Sequence, residues 1–216
     1  MNSIIKIENI TKKYNEKIIF ENFNLNIERG GITVITGNSG SGKTTLLNMI
    51  GLLDSPNTGK IAIENKIVSK IGSNHNQNII AKHISYLFQN NALIEDKSIL
   101  DNLLLALKNV KVKKEEKIAL INNALKSVFI KHDLNTKIFT LSGGEQQRVA
   151  IARSLIKPSS IILADEPTGN LDNNNRDIIL NIFEKINKST NKTIIIVTHD
   201  LEVSKIATRR INLKSE

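Results

Sequence analysis

Residues 37–45 read GNSGSGKTT, which fits G-x-x-x-x-G-K-[ST]. An apolar, β-branched run (Ile32 to Thr36) precedes the segment, and a helix-like stretch (Thr44 to Ile50) follows it. In that setting the chemistry is phosphate binding. Gly37, Gly40 and Gly42 leave backbone amides open to phosphate oxygens. Asn38, Ser39, Ser41 and Thr45 complete the same loop and first turn. Lys43 brings a point charge to β- and γ-phosphates, and the Thr44 hydroxyl suits Mg²⁺. The expected ligands are therefore ATP and Mg²⁺.

A second stretch, ILADEP at 162–167, puts two carboxylates behind a short buried strand ending at Ala164. Ligands gather at the carboxyl ends of strands in open α/β sheets. Asp165 is placed to hold the metal, and Glu166 to orient and deprotonate an attacking water. His199 ends another apolar run (TIIIVT, 193–198), where it can contact the γ-phosphate and the water. Gln89 follows the strand-like Ile84 to Phe88, and its amide oxygen can reach both metal and water. The spacing of Gln89 alone does not decide between that role and an ordinary loop position. Tyr14, in KKY, is open to two readings: a ring stacked on adenine, or a packed turn residue.

LSGGEQQR at 141–148 is a second phosphate-site pattern, with Ser142, Gly143 and Gly144 opening onto a helix. Lys43 and Ser142 are separated by a mostly helical block, which makes closure onto one nucleotide difficult. Two copies paired head to tail solve the problem: each Ser142 turn closes over the ATP held by the other copy, and the interface is made twice.

The elements that must position these residues follow from periodicity. Strand-like pieces occur at Ile4 to Ile7, Ile18 to Phe20 and Phe23 to Ile27, and an edge or hairpin strand spans Gly59 to Val68. Ser69 to Asn78 is polar and reads as a surface loop. Helical spacing links Ile99, Leu103, Leu104 and Leu107, then Ile118, Ile121, Leu125 and Phe129. Further helices are expected over Gly143 to Ile156, stopped by Pro158, and over Asn174 to Asn187. The fold class is α/β: a phosphate-loop parallel sheet with an antiparallel β part near the N-terminus and an inserted α-helical part. The expected division of the single 1–216 domain is a core of 1–88 and 158–216, with helices over about 89–157.

Composition sets the outer bounds. The chain has 216 residues and no cysteine, which excludes disulfides and thiolate metal sites. No run approaches the roughly 18–20 apolar residues that cross a bilayer, and the first ten residues do not resemble a signal peptide. The expectation is a cytoplasmic chain that meets a membrane only through a partner. The net charge of +9 admits two readings. One is an anionic partner. The other is a codon habit, since 24 lysines stand against 6 arginines beside 28 asparagines. Scarce arginine, the preferred base-reading side chain, favours the second, and no nucleic-acid partner is expected.

In this order, the phosphate loop, Gln89, LSGGEQQR, ILADEP, the Leu171-Asp172 pair and His199 resemble the nucleotide-binding subunits of ABC transporters, over essentially the whole chain. The resemblance implies ATP hydrolysis coupled to a transmembrane permease. It implies that Gln89 and the helical block contact that permease at the inner face of the membrane, that Tyr14 stacks on adenine, and that Asp172 lies at the dimer seam. DEPTGNLD at 165–172, including Asn170, looks like the lipoprotein-release and macrolide-export branch. YLFQNNALIEDKSILDNL at 86–103 looks most like lactococcin-type bacteriocin export ATPases, so a peptide cargo is expected, with lipoprotein release or cell division as the alternative. A chromosome or DNA-repair ATPase head needs a long coiled coil for which the chain has no room. Ribosome-acting relatives usually carry two such domains. A mere ATP sensor would not need Glu166 and His199.

Reciprocal closure predicts that Ser142→Arg leaves ATP binding by one chain intact and blocks pairing. Sedimentation with ATP should show a monomer; a dimer would refute the reciprocal arrangement.

Overall fold

The computed structural model describes residues 3–68, 72–169 and 171–213; Asn170 and part of the polar 69–78 stretch lie outside them. The chain opens with two long antiparallel strands, β1 (Ser3–Tyr14) and β2 (Lys17–Glu28), in place of the three short pieces expected. Irregular pairing hides them in the sequence. Asn9 and Asn22 adopt left-handed φ values of 48° and 47°, and the register shifts between Ile7 and Ile10. Asparagine tolerates that conformation better than most residues. The Asn24 side chain bridges the bulge, accepting from the Asn9 amide at 2.9 Å and donating to its Oδ1 at 3.0 Å.

β3 (Ile32–Gly37) leads through the glycine-rich loop into α1 (Lys43–Ile50). A hairpin of β4 (Thr58–Ile63) and β5 (Lys66–Ile67) turns on Glu64 and Asn65, both at positive φ. The antiparallel sheet has the order β2-β1-β4-β5. Next comes α2 (Asn74–His83), a helix where a loop was expected. Its start is capped by Ser73, whose hydroxyl accepts from the Asn76 amide at 3.2 Å. Its apolar stripe is too narrow to show a period, with Ile79 buried on it.

β6 (Ile84–Leu87), α3 (Ile99–Ala106), α4 (Lys114–Ser127) and α5 (Gly143–Ile156) follow. Phe129, expected on α4, lies beyond its end at positive φ and is half-exposed. β7 (Ile161–Asp165), α6 (Asn173–Thr190), β8 (Thr193–Val197) and β9 (Arg209–Leu213) complete the chain. The periodicity did not predict β9.

The second sheet is parallel, ordered β6-β7-β8-β3-β9. It separates two cores. Ile162, Ala164, Ile194 and Ile196 face the helices α3 to α6. Ile161, Leu163, Ile195 and Val197 face α1 and the antiparallel sheet. Coverage of both faces explains why these strands read as unbroken apolar runs. Burying one such side chain is worth roughly 1.5–3 kcal/mol, more than the whole span of β-propensity at about 1 kcal/mol. Burial therefore sets the sheet.

Two lysines tie the layers at the end remote from the glycine loop. Lys157 donates to the carbonyls of Ile80 (3.0 Å) and Ile84 (2.5 Å). Lys192 donates to those of Leu155 (3.2 Å) and Lys157 (2.8 Å), at the carboxyl end of α5. Burial, reinforced by the charge of Lys157, pushes Lys192 down to about 8 from 10.5. Between those values the unfolded chain holds a proton that the folded chain does not, so this group makes stability rise with pH. Urea titrations at pH 8 and pH 10 should show the stability of wild type relative to Lys192→Met rising with pH. A difference that stays flat or falls would contradict the assignment.

Candidate functional site

Four neighbouring strands, β6, β7, β8 and β3, end on the same edge of the parallel sheet. Their ends carry Gln89, Asp165-Glu166, Thr198-His199 and the loop from Gly37. The chain folds this way because each strand closes in a turn only after its apolar residues are buried.

The loop is shaped by glycine. Gly42 sits at the start of α1 with φ +89°, and a Cβ there would come within 2.7 Å of Ile19 and 2.8 Å of Phe20. No side chain caps α1, so its first-turn amides stay available to an anion. Lys43 is buried, and its ammonium donates to the carbonyls of Gly37 (2.8 Å) and Asn38 (3.0 Å). Ser39, Gly40, Gly42, Lys43, Thr44, Thr45, Gln89, Glu166 and His199 line one cavity of about 390 Å³, together with Lys17 and Ile19. Those last two, from β2, carry no signal in the sequence.

Thr44 Oγ1 donates to Asp165 Oδ1 at 3.2 Å. Burial raises the Asp165 pKa; the Thr44 hydrogen bond and Lys43 oppose the rise, and Glu166 adds to it. A hydroxyl and a desolvated carboxylate in contact form a hard oxygen donor set that fits Mg²⁺. A divalent ion would also restore the charge that burial disfavours. Gln89 borders the cavities on both sides of Thr44 and is exposed.

Glu166 has φ 44°, rare for a residue with a side chain. Its amide donates to the Val197 carbonyl at 2.9 Å, and its carbonyl accepts from Gly169 at 3.1 Å. This conformation turns the carboxylate toward the cavity and the two residues that follow β8. It accepts from Thr198 Oγ1 (2.9 Å), the His199 amide (3.1 Å) and His199 Nδ1 (2.9 Å). With Nδ1 donating, the other ring nitrogen of His199 faces outward, and the side chain is 69% exposed. Thr198 is a contact the sequence did not reveal, because 32 residues separate it from Glu166.

Tyr14 ends β1 beside this region. Its hydroxyl donates to Asp54, and the Lys12 ammonium lies 4.5 Å from the ring centroid. The hydrogen bond to Asp54 raises the Tyr14 pKa. The residue is 47% exposed, and it is not among those lining the 390 Å³ cavity.

Ser142, Gly143 and Gly144 are not part of that cavity. Ser142 caps α5 in a capping box with Glu145. Ser142 and Gly143 are exposed, and a Cβ on Gly143 would meet nothing within 4 Å. Gly144 is buried, and its Cβ would lie 2.7 Å from Asn175 Oδ1. Asn175 in turn donates to Asp172 Oδ2 at 2.7 Å and accepts from Arg148 at 3.3 Å. Asp172 caps α6, and its hydrogen bonds from Asn175 lower its pKa. The Ser142 turn and the Asp172 loop are thus joined through Asn175.

Comparison with known proteins matches residues 20–169 to the ABC transporter family. The chain is 36% identical over 213 residues to the lipoprotein-releasing system ATP-binding protein LolD of Leptospira interrogans, covering 99% of this chain and 90% of that protein. It is 38% identical over 215 residues to the macrolide export ATP-binding/permease protein MacB of Campylobacter jejuni, covering 98% of this chain but only 33% of MacB. The dimeric structure of MJ0796, a bacterial ABC transporter cassette, is similar with a TM-score of 0.88 and 38% identity, over 97% of this chain and 94% of that one. The same cassette has been solved as a dimer in a post-hydrolysis state with ADP and Pi (TM-score 0.87, 37% identity, covering 98% and 96%).

The two signature glycines should respond differently. Gly144→Ala should cost about 1–3 kcal/mol through overpacking against Asn175. Gly143→Ala should stay within about 0.5 kcal/mol of wild type. Chemical denaturation of the isolated chain checks both, and equal effects would contradict the contact with Asn175.

Proposed function

This chain belongs to the ABC transporter family, and from that premise we propose that it is the ATP-hydrolysing subunit of a transporter, pairing head to tail with a second copy and driving a membrane permease. One observation carries the reading. The strand ends place a phosphate loop and a held carboxylate around one cavity, with Thr44 joined to Asp165 at the border of a second cavity that Gln89 shares, while Ser142, Gly143 and Gly144 line neither. A second chain supplies the missing wall.

In this reading Gly37 to Thr45 cradle the triphosphate, and Lys43 transfers its ammonium from the loop carbonyls to phosphate oxygens. Thr44, Asp165 and Gln89 would hold Mg²⁺, which would supply neutralising charge to the phosphates. Glu166 accepts the proton of the attacking water. Thr198 and the His199 amide fix the carboxylate, and the His199 ring faces the γ-phosphate. Tyr14 borders the adenine end. Ser142, Gly143, Gly144 and Asp172 act across the seam on the partner's nucleotide.

The permease docks beside Gln89. A groove of about 370 Å³ lies between the end of α1, β6, α3 and α5, lined by Leu53, Tyr86, Phe88, Ala92 and Leu105. Leu53 and Leu105 are 51% and 52% exposed. An apolar helix end of the permease fits there, and Gln89 would link its position to the Thr44–Asp165 pair. The helical part, about 89–157, then moves with the permease against the core. Among the described residues no helix is long and apolar enough to cross a membrane. In this reading the permease holds the chain at the inner membrane face. The LolD and MacB relatives favour an envelope permease as that partner. Export of a bacteriocin-like peptide is a second reading, favoured by residues 86–103.

Glu166→Gln should trap an ATP-bound dimer, with turnover down roughly 10²–10⁴-fold. Phosphate release and sedimentation with Mg-ATP test this. Near-normal hydrolysis would remove Glu166 from the role, and absence of a dimer would remove the head-to-tail reading.

A further inference from the structure

Ser142 offers two hydrogen-bond donors, its amide and its hydroxyl. Both go to one oxygen of Glu145: the amide to Oε2 at 2.9 Å and the hydroxyl to Oε2 at 2.7 Å. The hydroxyl also accepts from the Glu145 amide at 3.4 Å. The other carboxylate oxygen, Oε1, meets His132 Nε2 at 2.7 Å. His132 lies between α4 and α5, and its side chain is 40% exposed. The contacts with His132 first, and with Ser142 next, pull Glu145 down to about 2. It is therefore ionised at neutral pH and can only accept, so His132 Nε2 carries the hydrogen.

A phosphate facing this turn would draw on the same two donors, besides the Gly143 and Gly144 amides at the start of α5. Glu145 and the phosphate are both anions, so they compete for Ser142 and repel each other across it. The outcome depends on what else holds Glu145. Without His132, the described contacts leave the carboxylate only Ser142. With His132, it keeps a charge-assisted partner on its far side when Ser142 turns away.

We propose that His132 is a positioning residue for Ser142, acting through Glu145: it retains the carboxylate so that the Ser142 hydroxyl and amide can pass to a phosphate of the nucleotide bound by a second copy of the chain. This rests on the head-to-tail reading above. His132 touches neither nucleotide nor reacting atoms.

The experiment uses the full chain carrying Glu166→Gln and measures the dimer dissociation constant by sedimentation in Mg-ATP. Adding His132→Ala should raise that constant roughly ten- to a hundredfold, the size of one charge-assisted hydrogen bond. Nucleotide affinity of the single chain should not change. On a Glu145→Gln background, where the competing charge is gone, the same substitution should change pairing less than about twofold. His132→Gln, whose side-chain amide can donate to the same oxygen, should recover at least half of the loss. Unchanged pairing in His132→Ala, or an equal loss on both backgrounds, overturns the proposal; the latter would show a purely structural role. Failure of Glu166→Gln alone to pair in ATP overturns the head-to-tail reading itself, and this inference with it.

Discussion

The site depends on a backbone ladder that runs past the ends of its strands. Glu166 N–H donates to the Val197 carbonyl at 2.9 Å, and Thr198 N–H donates to the Ile35 carbonyl at 3.1 Å. These bonds continue the pairing of β7 with β8 and of β8 with β3 by one residue. Three chain segments far apart in sequence are thereby aligned at one level. The alignment is as rigid as the sheet, because both faces of that sheet are buried. Loops alone would not hold a carboxylate against a threonine and a histidine at hydrogen-bond distance.

That rigidity sustains two unfavourable features. Asp165 is a buried carboxylate whose pKa burial raises, and Glu166 occupies a left-handed backbone conformation. A strained backbone residue of this kind costs on the order of 1–3 kcal/mol and persists only where its surroundings over-determine it. Here the over-determination is visible: an amide and a carbonyl bonded in the backbone, and three donors on one side chain. The same strain aims Glu166 into the cavity rather than along the strand. Lys43 is poised similarly, since its two carbonyl partners are weaker attractors for an ammonium than a phosphate is.

What the sequence disclosed, and what it concealed, divides by range. The glycine loop, the strand before Asp165 and the helix after Ser142 are local patterns, and their boundaries match the structure to within a residue or two. Local patterns failed where special backbone or sparse burial broke the period. Asn9 and Asn22 interrupt the alternation of β1 and β2. α2 presents mostly polar residues, and RRINL at β9 looks unlike a buried strand because only Leu213 is buried. Pairings across the fold were invisible: Thr198 on Glu166, Asp54 on Tyr14 and Asn175 between Gly144 and Asp172. No sequence window contains both members of the first two pairs.

Charge gives the proposed pairing its dependence on nucleotide. Each chain carries a net +9, so two copies brought together repel. On the described surface, Ser142 itself offers a second copy little to offset this, because its amide and hydroxyl are already satisfied within the chain by Glu145. In the proposed pair a triphosphate would change both terms. It would bring negative charge to the seam, beside Lys43 on one side, and compete for the donors of Ser142 on the other. Hydrolysis would divide that charge between two smaller anions, each free to leave. The basic composition, whatever its origin, would then act as a spring that opens the pair once the anion bridging it is cut.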